Sequence, residues 1–259
     1  MDLGLRDRVA IVTGASRGLG RAIAATLAAE GCRLTVCARG EAALRAAAAE
    51  LAGDDAARVL PVALDVTAPD AARRLLDATL EHFRGIDVVV SNAGGNRRKP
   101  FREATDDDWR ELLELNLLSG LRLAREAIPH LEAGGGGSIV FVSSLYGREK
   151  GGEGLSLYNT TKSALISAAG IMALELAPRG IRVNTVAPGS ILFPGGSWDR
   201  RFHDDPQGRA AFIERNLPLG RFGTPEEIAA AVAWLVSPRA SLVTGACIPI
   251  DGGQGRSLV

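Results

Sequence analysis

Tyr158 and Lys162 stand four residues apart in the stretch Tyr158-Asn159-Thr160-Thr161-Lys162. On a helix that spacing puts a phenol and an ammonium on one face. Residues 162–177 are rich in Ala, Leu and Ile and hold one glycine, Gly170, which predicts a helix. Alone, both groups are poor acid–base catalysts at neutral pH, because their ordinary pKa values lie near ~10 and ~10.4. A neighbouring cation stabilises the phenolate and lowers the tyrosine value. Unit charges ~4 Å apart at an effective dielectric of ~20 interact by ~4 kcal/mol, and ~1.4 kcal/mol is one pKa unit. A drop of roughly two to three units is therefore within reach. An isolated Tyr-x-x-x-Lys reads first as a surface tyrosine beside a solvated lysine, so the surrounding chain has to supply the site.

The bounds on that chain are ordinary. It has 259 residues, 46% hydrophobic and 23% charged, which suits one α/β domain over residues 1–259. Thirty basic and thirty acidic residues cancel, which argues against a nucleic-acid or membrane-surface partner. The start, Met1 to Asp7, lacks the charged-then-apolar order of a signal peptide. No apolar run approaches the ~20 residues of a membrane span. Cys32, Cys37 and Cys247 do not form a disulfide framework. Cys32 and Cys37, five apart on an expected strand, point to opposite faces and share no metal. The expectation is a soluble, cytoplasmic protein without a metal. His82, His130 and His203 are scattered, with no nucleophile or carboxylate placed beside them, so a hydrolase triad is unsupported.

The elements that would position Tyr158 and Lys162 alternate. Residues 8–13 are a short apolar run, as in a buried parallel strand. They lead into Gly14, Ser16, Arg17, Gly18, Leu19 and Gly20, then an Ala-rich helix over 21–30 stopped by Gly31. Strand, glycine loop and helix make a phosphate cradle: glycines let the backbone approach, and the helix start offers N–H groups and positive dipole. A second strand, 33–37, ends at Ala38-Arg39, where a NAD site would place an acid for the ribose 2′-hydroxyl. Arg39, with Arg17 opposite, suits a 2′-phosphate instead; the bland alternative is two solvated arginines. Helix 41–52, strand 58–64 ending at Asp65 and Val66, helix 70–84 and strand 86–90 ending at Asn92, Ala93 and Gly94 continue the rhythm. The expected fold is a doubly wound (Rossmann) α/β domain with a mostly parallel seven-stranded sheet and helices on both faces.

Thr105 followed by Asp106, Asp107 and Asp108 reads as a helix cap, with the helix running over 109–131. Asn116 lies inside it among leucines, so it needs a polar partner: a structural hydrogen bond or a catalytic water. Strand 138–142 ends in Ser143-Ser144, and ligands bind at the carboxyl ends of such strands. Ser144 is placed to bond a substrate oxygen. Strand 181–187 runs into Pro188-Gly189. Residues 190–217 break the pattern and carry Phe193, Trp198 and Phe202 in a chain that is 5% aromatic. They read as a long loop forming a lid over an apolar ligand portion. Its arginines, Arg200, Arg201, Arg209 and Arg215, read as a solvated face balanced by Asp199, Asp204, Asp205 and Glu214. A helix begins at Thr224 with a capping-box pattern, and a last strand closes the chain near 248–250.

Taken in order, these residues resemble the short-chain dehydrogenase/reductases, over residues 5–253. Thr13 to Gly20 matches the TGxxxGxG cofactor loop. Ser91-Asn92-Ala93-Gly94 matches the NNAG stretch, with Ser91 for the first Asn. Asn116, Ser144, Tyr158 and Lys162 fall on the catalytic tetrad, and Pro188-Gly189 on the turn that touches the nicotinamide. The resemblance implies NADP(H) as cofactor. It makes Tyr158 the general acid for ketone reduction or base for alcohol oxidation, and Ser144 the group that polarises the carbonyl. It makes Lys162 the cation that lowers the Tyr158 pKa and binds the ribose, and Asn116 the holder of a water linking Lys162 to solvent. Asp65 and Val66 would contact the adenine, Asn92, Ala93 and Gly94 the ribose, and Pro188, Gly189 and Ile191 the carboxamide. Ser144, Leu145, Tyr158, Phe193 and Trp198 are the expected substrate contacts. The threonine that members carry after the Pro-Gly turn is missing; Ser190 is the only hydroxyl there. The family's usual assembly is a homotetramer, or a homodimer, with the Asn116 and Tyr158 helices between subunits.

The expected activity is hydride transfer between NADP(H) and a small-molecule carbonyl or secondary alcohol. A 3-oxoacyl-(acyl-carrier-protein) reductase is the alternative: Arg179 sits at one docking position, but residues 131–137 lack the basic groups such enzymes carry. Arg97-Arg98-Lys99 near the site mouth leaves an anionic substrate open. A non-catalytic NADP-binding sensor or scaffold would predict a lost tetrad member, and all four are present.

Overall fold

The computed structural model describes residues 2–257. In chain order it runs β1 (Val9–Thr13), α1 (Gly18–Ala29), β2 (Arg33–Ala38), α2 (Glu41–Ala52), β3 (Val59–Ala63), α3 (Ala71–Phe83) and β4 (Val88–Ser91). It continues with α4 (Asp106–Leu113), α5 (Ser119–Ala133), β5 (Gly137–Val142), α6 (Ser156–Leu176), β6 (Ile181–Pro188), α7 (Ser197–Arg201), α8 (Pro206–Asn216), α9 (Pro225–Val236) and β7 (Cys247–Ile250). The sheet order is β3-β2-β1-β4-β5-β6-β7, and every pairing is parallel. This is the doubly wound Rossmann sheet, one domain, with parallel pairing throughout.

The strands are apolar because both faces are covered. Successive side chains alternate between two cores. Ala10, Val12, Val140 and Val142 join the core under α1 and α9. Ile11, Ile139 and Phe141 join the core under α3, α5 and α6. Cys32, just before β2, lies in the first core and Cys37 in the second, so the two thiols are on opposite faces. Burial pushes both thiols up to about 12, leaving them protonated and inert. Among the described residues no cluster of metal-ligating side chains occurs, and no helix is long and apolar enough to cross a membrane.

Three elements differ from the sequence reading. The helix of the glycine loop begins at Gly18, so Gly20 is already helical. The helix expected over 109–131 is interrupted by a π turn, Glu114–Leu118, which holds Asn116. Residues 190–217 are not loop throughout: α7 and α8 form within them, joined by short turns. Asp205 caps α8 by accepting from the Gly208 N–H, and Pro206 opens its first turn, signals that the glycines and prolines nearby obscured.

Candidate active site

Beyond the carboxyl ends of β1 and β4 the winding reverses, and a crevice opens there. Its floor is tied together. Thr13 Oγ1 accepts from the Asn92 and Ala93 N–H groups, each at 3.0 Å, and Asn92 Nδ2 donates to Thr13 O at 2.9 Å. Gly14 (φ 67°) and Gly18 (φ 55°) adopt left-handed backbone that favours glycine. A Cβ on Gly20 would lie 2.3 Å from Gly14 O, and one on Gly14 would lie 2.8 Å from Asn92 Nδ2. No side chain caps α1, and its first turn holds no acid. A bare, positive helix start behind a glycine turn fits the diphosphate of a dinucleotide.

A Gly20→Ala change tests the cradle. The clash is with a backbone oxygen, which cannot swing away, so it should cost ~1–3 kcal/mol of stability. Dinucleotide affinity should fall ~10-fold or more, by the same misplacement of the loop. Thermal unfolding and NADPH titration read the two effects.

The cleft has a volume of about 840 Å³. Its wall includes Gly14, Ser16, Arg17, Leu19, Gly20, Arg39, Asp65, Val66, Asn92, Ala93 and Gly94 at one side. Ser144, Leu145, Tyr158, Lys162, Pro188, Gly189, Ile191, Phe193 and Trp198 complete it. Gly18 and Asn116 are not on the wall. Gly18 lies under Phe193, whose ring would be 2.6 Å from a Cβ there.

Tyr158 enters from the first turn of α6, and Lys162 follows on the same face with its Nζ 5.9 Å from the Tyr158 ring centroid. Lys162 is buried, and its Nζ donates to Val142 O at 2.9 Å. Ser143 Oγ donates to Lys162 O at 3.0 Å, fixing α6 to the end of β5. Ser144 follows, its Oγ accepting from the Tyr146 N–H at 3.2 Å and bonded to the Tyr158 phenol. Burial pushes the Lys162 ammonium down to about 8. Burial also pushes the Tyr158 phenol up, against the pull of its Ser144 hydrogen bond. The shift of Tyr158 is thus opposite to the lowering expected from its lysine neighbour. Losing water costs the phenolate more than its partners return, and the same desolvation weakens the lysine as a cation.

Asn116 Oδ1 accepts from the Gly95 N–H at 2.8 Å. Its Nδ2 donates to Gly95 O at 2.9 Å and to Thr161 Oγ1 at 3.0 Å. Both amide protons are therefore used, and the side chain clamps the strand-four loop to α6. A free lone pair on Oδ1 is what it has left for a water.

At the other end, Arg39 Nη1 lies 3.8 Å from the Asp65 carboxylate, both groups well exposed. Asp65 is held low by the Thr67 backbone N–H first, then by its hydroxyl, with Arg39 a lesser contribution. Arg17 Nη1 donates to Gly195 O at 2.8 Å, tying the glycine loop to α7's approach.

The lid aromatics mostly cover one another. Trp198 packs on Phe212 at 4.5 Å between centroids and on Phe202 at 5.9 Å, and Phe212 stacks on Phe222 at 5.7 Å. Phe202 is not on the cleft wall, whereas Phe212 is. The lid arginines Arg200, Arg201, Arg209 and Arg215 are exposed, in keeping with a solvated face. Arg200 and Arg201 line the cleft, and Arg209 lies 5.7 Å over the Phe222 ring. Sequence reasoning also missed Tyr146 and Gln254. Gln254 Oε1 accepts from the Ser190 N–H at 2.9 Å, so the C-terminal tail braces the turn that lacks the threonine. No local pattern marks Gln254; Tyr146, two residues past Ser144, could have been found by position.

Sheet order, glycine cradle and the Ser144–Tyr158–Lys162 wall define a dinucleotide-binding α/β oxidoreductase. A family model described as Enoyl-(Acyl carrier protein) reductase matches residues 14–254. The 3-oxoacyl-[acyl-carrier-protein] reductase of Vibrio cholerae is 36% identical over 97% of this chain and 99% of that protein. The 4-formylbenzenesulfonate dehydrogenase of Comamonas testosteroni is likewise 36% identical, over 97% and 99%. Among solved structures, L-sorbose reductase from Gluconobacter frateurii, complexed with NADPH and L-sorbose, superposes with a TM-score of 0.94 at 34% identity over all of both chains. A 7α-hydroxysteroid dehydrogenase complexed with NADH superposes at 0.89 with 30% identity, over 100% of this chain and 98% of that one. The chain belongs to the short-chain dehydrogenase/reductase family.

Proposed function

We propose that the protein is an NADP(H)-dependent carbonyl reductase, or secondary-alcohol dehydrogenase in reverse, acting on a free small molecule. The observation that carries this reading is one wall: Ser144, Tyr158 and Lys162 lie side by side in the cleft that the glycine cradle opens. Bound there, NADPH supplies a hydride to the carbonyl carbon. The Tyr158 hydroxyl gives its proton to the carbonyl oxygen, and Ser144 Oγ donates a second hydrogen bond to that oxygen. A phenol raised by burial is protonated at neutral pH, the form an acid needs. Lys162, with the protons not given to Val142 O, would hold the ribose and would stabilise the phenolate as the proton leaves. Asn116 and Thr161 hold the loop and helix between which Lys162 sits.

NADPH oxidation with a panel of ketones, aldehydes and keto sugars tests the reading. Reduction of at least one class is expected; tight NADPH binding with no carbonyl reduced would favour a sensor or scaffold. The cofactor preference rests on Arg39 and Arg17, which line the cleft at the ends of β2 and β1. Replacing Arg39 by Ala should narrow the NADPH-over-NADH ratio of kcat/KM about 10-fold, the worth of one charge-assisted contact. Equal use of both cofactors by the wild type would sink this assignment.

The relatives' named substrates, acyl carrier thioesters, an aromatic sulfonate aldehyde and a sugar, differ too much to fix this one. The acyl-carrier reading is the weaker because Arg179 is tied to Glu132 at 2.5 Å. Exposed Ile171 and Leu174 on α6 and Leu118 on the π turn support an assembly through that face.

A further inference from the structure

The cleft holds more positive charge than a dinucleotide needs. Among its lining residues are Arg17, Arg39, Arg98, Lys162, Arg200 and Arg201, against the single carboxylate of Asp65. Arg17 and Arg39 follow β1 and β2 at the end assigned to the adenine and phosphates, and Lys162 stands by Tyr158. Arg200 Nη1 donates to Gly195 O, the same carbonyl that Arg17 takes, so Arg200 belongs with the phosphate cradle. Arg98 and Arg201 remain.

Arg98 is aimed by its neighbours. Arg97 pairs with one oxygen of Asp108 and Lys99 with the other, each at 2.6 Å, and the Lys99 N–H donates to Gly154 O at 2.9 Å. The flanking cations are thus consumed by a buried carboxylate, and Asp108 is held well below the usual range by Lys99 first and by the Thr105 N–H and Arg97 after it. Arg98 between them makes no ion pair or hydrogen bond to any described residue. It lies against the loop leading into Tyr158: a Cβ on Gly152 would be 3.3 Å from its Nη2, and one on Gly154 2.9 Å from its Cγ. That places Arg98 at the substrate end, away from Arg39. From the lid, Arg201 stacks 5.3 Å from the Trp198 ring and 5.7 Å from Phe212, and pairs with no carboxylate among the described residues. Stacking uses the faces of a guanidinium and leaves its N–H edges for a ligand.

We propose, resting on the carbonyl-reductase reading, that the substrate carries an anionic group (carboxylate, sulfonate or phosphate) at the end away from its carbonyl, recognised by Arg98 with Arg201 closing from the lid. A neutral carbonyl would make no use of two arginines that line the cleft without a carboxylate partner among the described residues. An anion gains charge-assisted, two-pronged hydrogen bonds and orients the carbonyl toward Tyr158.

Matched pairs test this: 4-acetylbenzoate against its methyl ester, and levulinate against its methyl ester, with NADPH. The acid should exceed its ester in kcat/KM by about 10–100-fold, the worth of one or two charged hydrogen bonds. The advantage should shrink as salt rises. Arg98→Gln should collapse the acid-to-ester ratio toward one, mostly through KM, and Arg98→Lys should restore part of it. A wild-type ratio at or below one overturns the proposal, as does a ratio that Arg98→Gln leaves intact. A preference confined to the uncharged thioester acetoacetyl-N-acetylcysteamine, with none for the free acids, overturns it in favour of a carrier-bound substrate. Neutral ketones reduced as well as acids would leave the reductase reading standing and the anion site refuted. If no carbonyl is reduced, that reading fails, and quenching of bound NADPH fluorescence still decides the site. Tighter binding of 4-acetylbenzoate than of its ester, lost in Arg98→Gln, supports it; equal binding refutes it.

Discussion

Tyr158→Phe is expected to lower kcat by about 10²–10⁴-fold, the span that general acid–base groups contribute. NADPH affinity should stay within about twofold. The substitution keeps the ring that lines the cleft and removes only the hydroxyl bonded to Ser144. Ser144 and Lys162, which share that wall with the phenol, have other parts in the proposed transfer, so little turnover should survive at neutral pH. Single-turnover hydride transfer and NADPH titration separate chemistry from binding. A variant that keeps near-native kcat would end the case for Tyr158 as the acid.

Lys162→Met should reduce kcat/KM by about 10²–10³-fold, as loss of a preorganised charged donor does. Its stability should behave differently. Folding lowers the lysine pKa from 10.5 to about 8. Between those values the unfolded chain binds more protons than the folded one, so stability rises with pH across that window. Below about pH 8 the burial penalty applies in full, on the order of 3 kcal/mol. Methionine removes that penalty but leaves Val142 O without its donor, which takes back about 1–3 kcal/mol. At pH 7 the variant should therefore be as stable as the wild type or slightly more so. The decisive readout is the difference in unfolding free energy between wild type and variant from pH 8 to 10.5. A difference that does not change with pH would contradict a depressed Lys162.

The two variants separate what each residue does. Removing the phenol hydroxyl costs turnover alone. Removing the ammonium costs turnover while relieving the fold of a buried charge, a trade between activity and stability seen where a site demands a strained group.

The sheet was legible because its signals are local. Continuous apolar runs mark β1, β4 and β5, and Gly14, Gly18 and Gly20 stand where a strand meets a helix. The capping box at Thr105 and Asp108 was also readable, since its partners lie three residues apart. What Asp108 does besides capping was not. Its second task, holding Arg97 and Lys99, joins residues about ten positions away and leaves Arg98 alone between them. The π turn around Asn116 was hidden because an extra residue in a helix changes the hydrogen-bond ladder without changing composition. The lid helices are masked in the sequence by the glycines and prolines at their ends, and the aromatics that read there as ligand contacts pack mostly on one another.

From residue types and order alone came the doubly wound sheet, the phosphate cradle, and the set of Ser144, Tyr158 and Lys162 on which the proposed proton transfer rests. Those follow from short-range rules: which residues tolerate a turn, which alternate, which share a helix face. Only the folded chain decided the direction in which Tyr158 and Lys162 titrate, and which arginines are left without a partner. Desolvation depends on everything packed around a group, and an arginine's partner is chosen by competition among carboxylates far apart in the chain. Arg179 lost its freedom to Glu132, and Arg97 to Asp108, while Arg98 kept its own. That outcome is a property of three-dimensional proximity, which neighbouring letters do not encode.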